Sequence, residues 1–279
     1  MSSEIHGVPL GTPISDVIMF LQDTNTGSVI VLDENDDISG IVTERDLVRR
    51  YEERQEGEAV ENFMTHNPEV IRKNASLARG LYAMSVGGFR HLPVVHSKKF
   101  VEGMLSVRNV VSYIYEKLAT QVSANDCEII GKAEVVKRYF CSSVSILAPH
   151  QPVKVLPTST ISEVLQILRK SKIGSVLVSG ENRDFGIFTE RDYVKKVLGS
   201  ERDLSKDPVS DFMSSPLVGI ADDLSVLDAY QKLSGKSIRH LPVVGKDGRV
   251  SSMLSVKDFM DTLAQGIVAE LEQKQADKK

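Results

Sequence analysis

The stretch Gly40-Ile41-Val42-Thr43-Glu44-Arg45-Asp46 returns as Gly186-Ile187-Phe188-Thr189-Glu190-Arg191-Asp192, an offset of 146 residues (186 − 40). Two weaker copies, Gly103–Asn109 and Ser252–Asp258, follow them along the chain. One short motif therefore occurs four times in the sequence. Its Gly, hydroxyl residue, Arg and carboxylate suit contact with a ribose-phosphate, so the motif is the place from which to infer function.

Other repeats extend this pattern over most of the 279 residues. Arg90–Val95 recurs as Arg239–Val244, and Gly27–Val31 recurs as Gly174–Val178, at nearly the same offset. A near-constant offset indicates two homologous halves, about 1–118 and 146–266, each with two units. We therefore expect units at 1–60, 61–118, 146–208 and 209–266, a partly helical linker at 119–145 and a helical tail at 267–279.

Each unit predicts the order strand, helix, strand, strand, helix in about 60 residues, which is small for an independent core. Thr160 and Glu163 form a capping-box pattern ahead of an apolar stripe at helical spacing. In the first unit, Thr12 is expected to cap the helix and Pro13 to take its first position. Two units packed face to face would bury both of their sheets.

Composition excludes several classes of function. The net charge is −4 and Trp is absent, which disfavours binding of nucleic acid. No window approaches the roughly 20 apolar residues of a membrane span, and the N-terminus lacks a signal-peptide pattern, so we expect a cytoplasmic protein. Cys127 and Cys141 lack metal-site spacing and are expected to be reduced thiols.

Motifs of catalysis and metal binding are missing from the sequence. There is no Walker motif and no nucleophile elbow, so we expect no enzymatic activity. His91 and His240 have no second ligand at metal-site spacing, so we expect no metal.

The four motifs in register, the Gly-Ser-Val runs before two of them and the Arg-His-Leu-Pro-Val-Val strands resemble the CBS domain. Each half resembles a tandem CBS pair, or Bateman module, and the resemblance covers about 5–118 and 146–262. It implies an α/β (α+β) fold of four βαββα units, paired into two modules in a pseudo-twofold, disc-like arrangement.

In this family the cleft between paired units can hold an adenine nucleotide or a related adenosyl ligand. The resemblance implies that the motif Asp holds the ribose hydroxyls, that the Thr or Ser lies near ribose or phosphate, and that basic residues of the partner unit approach the phosphates. The implied ligand-binding residues are Thr43, Asp46, Arg90 and His91 in the first half, Thr189, Asp192, Arg239 and His240 in the second, Gly7, Val8, Lys154 and Val155 beside the base, and Ser255 and Asp258 in the fourth unit.

Side-chain chemistry is compatible with those roles. A carboxylate can accept hydrogen bonds from both vicinal hydroxyls of a ribose, and Arg can hold a phosphate bidentately. Two units depart from the pattern. Asn109 replaces the Asp of the second unit and removes its charge, and Ser252 replaces the Gly of the fourth. We therefore rank the sites of the third and first units above the fourth, and the second last.

Two alternatives remain open from the residues alone. Thr43 with Asp46 is also a plausible helix N-terminus with no ligand. Glu44 and Arg45, like Glu190 and Arg191, are interpreted as solvated first-turn residues or as inter-unit salt bridges.

The sequence thus predicts a stand-alone, non-catalytic regulatory module with no required cofactor. Its expected ligand is AMP, ADP, ATP or S-adenosylmethionine. An effector protein would read the bound state, and a homodimer is one arrangement that the resemblance allows. The rival hypothesis is a structural interaction or dimerisation module whose clefts are empty.

Overall fold

Four small sheets carry the four units. In this computed structural model, residues 6–51, 57–96, 100–119, 139–181, 183–200 and 202–276 are described. The first half contains β1 (Gly7–Pro9), α1 (Ile14–Thr24), β2 (Ser28–Leu32), β3 (Ile38–Thr43), α2 (Glu44–Arg50), β4 (Thr65–His66), β5 (Ile71–Arg72), α3 (Leu77–Gly87), β6 (His91–Val95), β7 (Val101–Ser106) and α4 (Val107–Ala119).

The second half repeats this order, except that its described residues include no strand equivalent to β4. It contains β8 (Lys154–Val155), α5 (Ile161–Ser171), β9 (Ser175–Ser179), β10 (Asp184–Thr189), α6 (Glu190–Asp192) continued by a π-helical turn (Tyr193–Val197), β11 (Ile220–Ala221), α7 (Val226–Gly235), β12 (His240–Val244), β13 (Val250–Ser255) and α8 (Val256–Ala276). Short 3-10 turns occur at Val60–Asn62, Val144–Leu147 and Val209–Asp211. The predicted mixed α/β fold of four related units is confirmed.

All four sheets share a core of three strands, to which the first sheet adds β4 beside β3. The first strand runs parallel to the middle strand, which forms an antiparallel hairpin with the last one. The register places the motif hydroxyl residue opposite the first residue of the middle strand, as in Thr43 opposite Ser28 and Thr189 opposite Ser175. Each motif therefore ends the second strand of its hairpin at an equivalent position and starts the next helix there.

Helix α5 follows the sequence prediction. Thr160 and Glu163 form the expected capping box, and the apolar stripe is buried. The first unit differs, because Pro13 is itself the N-cap of α1 and no side chain caps the helix. The hydroxyl of Thr12 donates instead to the carbonyl of Pro9 at 2.7 Å. The prediction that Thr12 caps α1 with Pro13 inside the helix is wrong, because this local turn takes up the hydroxyl.

Hydrophobic cores join units both within and between the halves. A small cluster (Ile30, Ile38, Val95 and Val101) packs the sheets of the first two units together. Two larger clusters cross between the halves. One joins the first unit to the third, and the other joins the second unit to the fourth together with the buried Tyr139 and Phe140. Because a unit of about 60 residues buries little on its own, each unit completes its core with a unit of the other half.

Reciprocal polar contacts show the pseudo-twofold relation of the halves. Gln22 on α1 donates through Nε2 to the carbonyl of Val194 at 2.7 Å. At the equivalent place of the second half, Arg169 on α5 donates through Nε to the carbonyl of Val48 at 2.6 Å. Each half therefore uses the same helix position to hold the helix that follows the motif of the other.

Three expectations concern the linker and the tail. The helical pattern predicted for Glu134–Phe140 lies outside the described residues except for Tyr139 and Phe140, and Cys127 also lies outside them. Cys141 is in a disulfide, so the expectation of reduced thiols is wrong for this residue. Disulfide formation depends on Cα separation, which sequence spacing alone does not give. The tail is helical, as predicted, and continues α8 as far as Ala276.

Candidate functional site

Each half contains a cavity at the motif of its first unit. The first cavity has a volume of about 280 Å³ and the second about 120 Å³. The first is lined by Gly27, Ile41, Thr43, Glu44, Arg45, Asp46, Arg49, Thr65, Pro68, Glu69, Gly87, Gly88, Phe89, Arg90 and His91. The second is lined by Glu44, Ile187, Thr189, Glu190, Arg191, Asp192, Ser214, Ser237, Ile238, Arg239 and His240.

The motif Thr and Asp form a capping box at the helix start. In the first cavity, Asp46 Oδ2 accepts from the backbone N–H of Thr43 at 3.0 Å and from its hydroxyl at 2.5 Å. In the second, Asp192 Oδ2 accepts from the same two groups of Thr189 at 2.9 and 2.6 Å. The helix-cap interpretation is thus confirmed as one role of these residues, and it uses one oxygen of each carboxylate.

The other carboxylate oxygen has different partners in the two cavities. Asp192 Oδ1 accepts from the hydroxyl of Ser214 and from the ammonium of Lys196, both at 2.7 Å. Asp46 Oδ1 lies 3.4 Å from the hydroxyl of Thr65 and 3.7 Å from Nη2 of Arg50. Both carboxylates are buried, at 8% exposure for Asp46 and 6% for Asp192. The longer contacts make Asp46 Oδ1 the more available acceptor.

The same cap occurs in the two other units. Asn109 Oδ1 accepts from the backbone N–H and the hydroxyl of Ser106 at 3.1 and 2.7 Å. Asp258 Oδ2 accepts from the same groups of Ser255 at 2.6 and 2.9 Å. An amide oxygen therefore suffices for the cap, so the cap does not need the negative charge of Asp.

Four predicted residues meet in each cavity. Arg90 and His91, at the start of β6, line the first cavity with Thr43 and Asp46. They come from the second unit, so this cavity lies between paired units. The corresponding set, which lines the second cavity, is Thr189, Asp192, Arg239 and His240.

The remaining predicted residues lie elsewhere. The described linings of both cavities lack Gly7, Val8, Lys154, Val155, Ser255 and Asp258. The start of the following unit pairs with the motif strand, because β4 pairs antiparallel with β3 and Ile187 bridges to Ser214. Thr65 and Pro68 line the first cavity as a result, and Ser214 lines the second. The strands β1 and β8 pair instead with β2 and β9, on the far side of each hairpin. Burial raises the pKa of Asp258, against the lowering effect of its hydrogen bonds from Ser255.

A buried cluster of six charged residues lies between the cavities, and we call it the central ion cluster. Glu190 Oε2 accepts from Arg90 at 2.6 Å, and Glu190 Oε1 accepts from Arg45 at 2.9 Å. The central ion cluster is completed by Glu44, whose Oε1 accepts from Arg239 at 2.7 Å and from Arg191 at 3.2 Å. Of the two interpretations open for the motif Glu and Arg, the inter-unit salt bridge is the one that the structure shows.

Burial and the charges of the central ion cluster shift the pKa of several of its groups and of the neighbouring histidines. Burial acts to raise the pKa of Glu190, but Arg90 and Arg45 outweigh it and lower this pKa to about 2. Burial also lowers the pKa of both histidines to about 3, assisted mainly by Arg239 at His91 and by Arg90 at His240. Burial, opposed by Glu44, lowers the pKa of Arg239 to about 10. At neutral pH the imidazoles are therefore uncharged, while Glu190 and Arg239 are ionised.

Glu44 differs from its repeat equivalent in one respect. Both oxygens of Glu190 accept hydrogen bonds, whereas Glu44 Oε2 is buried without a partner among the described residues. The Glu44 side chain is 3% exposed and lines both cavities. An unsatisfied buried acceptor costs about 1–3 kcal/mol, so a donor supplied by a bound molecule would be stabilised there.

The motif Gly has a packing role that the sequence did not predict. A Cβ on Gly186 would lie 2.7 Å from the sulfur of Met213 and 2.7 Å from the carbonyl oxygen of Ser214, and a Cβ on Gly40 would overlap the sulfur of Met64. The glycine thus gives room to the start of the following unit, and close approach of a ligand is not needed to explain it. The repeated Phe63-Met64 and Phe212-Met213 pairs were the sequence signal of this contact.

Two further findings concern the described part of the chain. No helix there is long and apolar enough to cross a bilayer. Among the same residues, no group of three or more His, Cys, Asp or Glu side chains is arranged to hold a metal ion.

Known proteins are similar to this chain in fold or in sequence. A structure of the protein MJ1225 from Methanocaldococcus jannaschii, proposed to be an archaeal homolog of g-AMPK, matches with a TM-score of 0.80 at 16% identity and covers 94% of this chain and 97% of its own. The CBS domain protein PAE2072 from Pyrobaculum aerophilum, solved in complex with AMP, is 29% identical over 42% of this chain and 89% of its own, with a TM-score of 0.39.

A relative in Arabidopsis thaliana, the CBS domain-containing protein CBSCBSPB3, is 24% identical over 275 residues. The match covers 89% of this chain but 49% of the relative, so the chain spans about half the length of that protein. The family model of the CBS domain matches residues 1–53, 60–116, 145–199 and 209–265. Because these four stretches span more than half of the sequence, the chain belongs to the CBS domain family.

Proposed function

We propose that the two cavities bind adenosine-containing ligands and that the chain acts as a ligand-sensing regulatory module. The observation that carries this proposal is the meeting of a buried, cap-forming carboxylate with an Arg and a His of the paired unit in each cavity. A carboxylate that faces a cavity recognises vicinal hydroxyls, because it can accept from both of them.

The ribose would contact the carboxylate oxygens of Asp46 and Asp192 that the helix caps do not use. Among the described residues, Asp46 Oδ1 has only long contacts, to Thr65 and Arg50, so hydroxyls of a ligand can reach it at little cost. In the second cavity the ribose would compete with Ser214 and Lys196 for Asp192 Oδ1. We therefore expect the first cavity to bind more tightly.

Size and wall chemistry favour the same cavity. Ligand pockets typically have volumes of about 300–1,000 Å³, and at about 280 Å³ the first cavity lies near that range. Phe89 in its wall offers an aromatic face for a purine. The second cavity, at about 120 Å³, must widen before it accepts a nucleoside.

Regulation would follow from differential affinity. Each cavity is lined by residues of two units, and Glu44 from the first half also lines the cavity of the second. A ligand that prefers one arrangement of the units shifts their population, and a partner protein can read that change.

Calorimetric titration with adenosine, AMP, ADP, ATP and S-adenosylmethionine tests the proposal. We expect saturable binding that is lost at the first cavity in Asp46→Asn and at the second in Asp192→Asn. Asn retains the helix cap, as Asn109 does in the second unit, so a loss of binding would report the ligand contact. Absence of heat with all five compounds at millimolar concentration would refute ligand sensing.

Asp228→Asn is the matched control. Asp228 forms the same capping box with Ser225, with distances of 2.9 and 2.5 Å, at the start of α7, outside the linings of both cavities. The titrations of this variant should match those of the unchanged protein. If Asp228→Asn reduced binding as strongly as Asp46→Asn, the effect would come from helix capping.

One observation favours the structural alternative. Arg90 and Arg239, the expected phosphate ligands, are already paired with Glu190 and Glu44 of the opposite half. In a structural module the central ion cluster would serve only to join the halves, and partner binding would survive Asp46→Asn and Asp192→Asn. In a sensor, those variants would abolish the ligand dependence of partner binding.

A further inference from the structure

The guanidinium groups that face the cavities are largely neutralised by the protein itself. Arg45 and Arg90 both donate to Glu190, and Arg191 and Arg239 both donate to Glu44. The carboxylates are 4% and 3% exposed, so they are not easily solvated if the arginines leave them. A phosphate that drew one of these arginines away would leave a buried carboxylate with only one of its two arginine partners, which is unfavourable.

The histidines do not supply the missing positive charge. His91 and His240 lie beside the arginines, and their lowered pKa keeps them neutral at pH 7. In the first cavity, Arg49 is the one guanidinium that has no ion pair among the described residues, and it is exposed. The second cavity has no such group in its described lining, where every Arg pairs with Glu44.

Glu44 adds an acceptor where a phosphate would need a donor. Its buried Oε2 lacks a partner among the described residues, and the residue lines both cavities. A neutral hydroxyl or a cationic group can donate to or neutralise this oxygen, whereas a phosphate oxygen is repelled by it.

We propose that Glu44 and Glu190 are specificity-determining residues that select adenosyl ligands with an uncharged or cationic 5′ substituent and reject polyphosphates. This inference rests on the proposed adenosyl binding and names the ligand class. The carboxylates occupy the positions on the arginines that phosphates would otherwise take. Arg90 and Arg239 each keep further N–H donors, so one phosphate is tolerated better than two or three.

Affinity should therefore fall with each added phosphate. In magnesium-free buffer, we expect adenosine and S-adenosylmethionine to bind at least as tightly as AMP, and ATP to bind about tenfold or more weakly than adenosine. This comparison uses the unchanged protein and needs no variant to fold.

Charge-removing variants test the assignment to particular residues. Glu190→Gln should raise the ratio of ATP to adenosine affinity about tenfold at the first cavity, because Arg45 and Arg90 lose their carboxylate. Glu44→Gln should do the same at the second cavity. Glu69→Gln is the matched comparison, since it removes one negative charge from the lining of the first cavity without releasing an arginine, and its effect on the ratio should be smaller.

The outcomes separate this inference from the proposed function. Tighter binding of ATP than of adenosine by the unchanged protein would leave adenosyl sensing intact and overturn the selectivity assigned to Glu44 and Glu190. An equal effect of Glu69→Gln and Glu190→Gln would also overturn it, because general charge would then decide. If no adenosyl compound binds, the proposed function fails as well.

Discussion

The Nη2 of Arg90, in the second unit, lies 2.6 Å from Oε2 of Glu190, in the third unit. The same ion pair forms between Arg239 and Glu44 at 2.7 Å. In each half, the Arg that precedes the Leu-Pro strand therefore contacts the motif of the other half. The position after the motif Thr therefore connects the two halves at the edge of both cavities.

Removing Glu190 should destabilise the protein strongly. Glu190→Gln leaves Arg45 and Arg90 partly buried without a countercharge, and breaking a buried pair in this way typically costs about 3–5 kcal/mol. We expect the urea midpoint to fall, and the double variant Glu190→Gln with Arg90→Gln to be less destabilised than the sum of the single ones.

The exposed pair of Asp203 and Lys206 provides the control. Its atoms lie 2.7 Å apart, but the side chains are 47% and 79% exposed. Asp203→Asn should leave the urea midpoint unchanged, because water solvates both charges. Similar losses of stability in Asp203→Asn and in Glu190→Gln would contradict the importance that we give to burial.

The cap at Asp46 should depend on an acceptor and hardly on charge. Asp46→Ala removes the acceptor for both groups of Thr43 and should cost about 1 kcal/mol in the free energy of unfolding. Asp46→Asn should cost less than half of that, as the cap of Ser106 by Asn109 indicates. Chemical denaturation of the two variants measures the difference, and equal losses would show that the charge stabilises the helix.

The motif Gly is expected to be intolerant of a side chain for packing reasons. Gly186→Ala would bring a Cβ against the backbone carbonyl of Ser214, which cannot move aside as a side chain could, and should cost about 1–3 kcal/mol. At Gly235, the last residue of α7, a Cβ meets nothing within 4 Å. Gly235→Ala should instead leave thermal stability equal or slightly raised. Equal melting temperatures for the two variants would exclude the proposed clash.

Acid should destabilise the centre of the molecule. The pKa values of His91 and His240 are about 3 in the folded protein and 6.5 in an unfolded chain, so the unfolded state binds more protons between these values. The contribution of the two histidines to the free energy of unfolding is therefore fully present above pH 6.5 and is lost as the pH decreases toward 3. The loss reaches roughly 2 kcal/mol per histidine at pH 5. Glu190, with its pKa of about 2, adds to the loss below pH 4.5.

Urea midpoints between pH 7.5 and pH 5 measure this dependence. The groups that face the imidazoles are Arg45, Arg90, Arg191, Arg239 and Glu190. The double variant His91→Gln with His240→Gln should flatten the profile, whereas His66→Gln, at an exposed histidine, should leave it unchanged. A profile equally steep in the double variant would assign the acid sensitivity to other groups.

Short sequence patterns predicted much of the local secondary structure and its caps. The capping box of Thr160 and Glu163 and the helical spacing of the apolar residues predicted the helix and its buried stripe, because short-range hydrogen bonds and helical periodicity decide both. The repeat likewise placed Thr43 and Asp46 at a helix start. Thr12 was assigned wrongly because a hydroxyl can also turn back to a nearby carbonyl, and sequence does not rank the two options.

The set of residues that line the cavities could not be predicted from local sequence patterns alone. Gly7, Val8, Lys154 and Val155 were expected beside the base, but they lie outside the described linings of both cavities. The pairing of β4 with β3 brings Thr65 and Pro68 to the first cavity. Strand pairing between units depends on packing across the whole chain, which a motif cannot report.

By itself, the sequence determined that one motif would be built four times, each time as a strand that turns into a capped helix. It did so because register, turn chemistry and capping act over a few residues. Only the tertiary structure decided that Arg90 meets Glu190 and that Glu44 lines both cavities, since residues 100 or more positions apart meet through packing of the two halves.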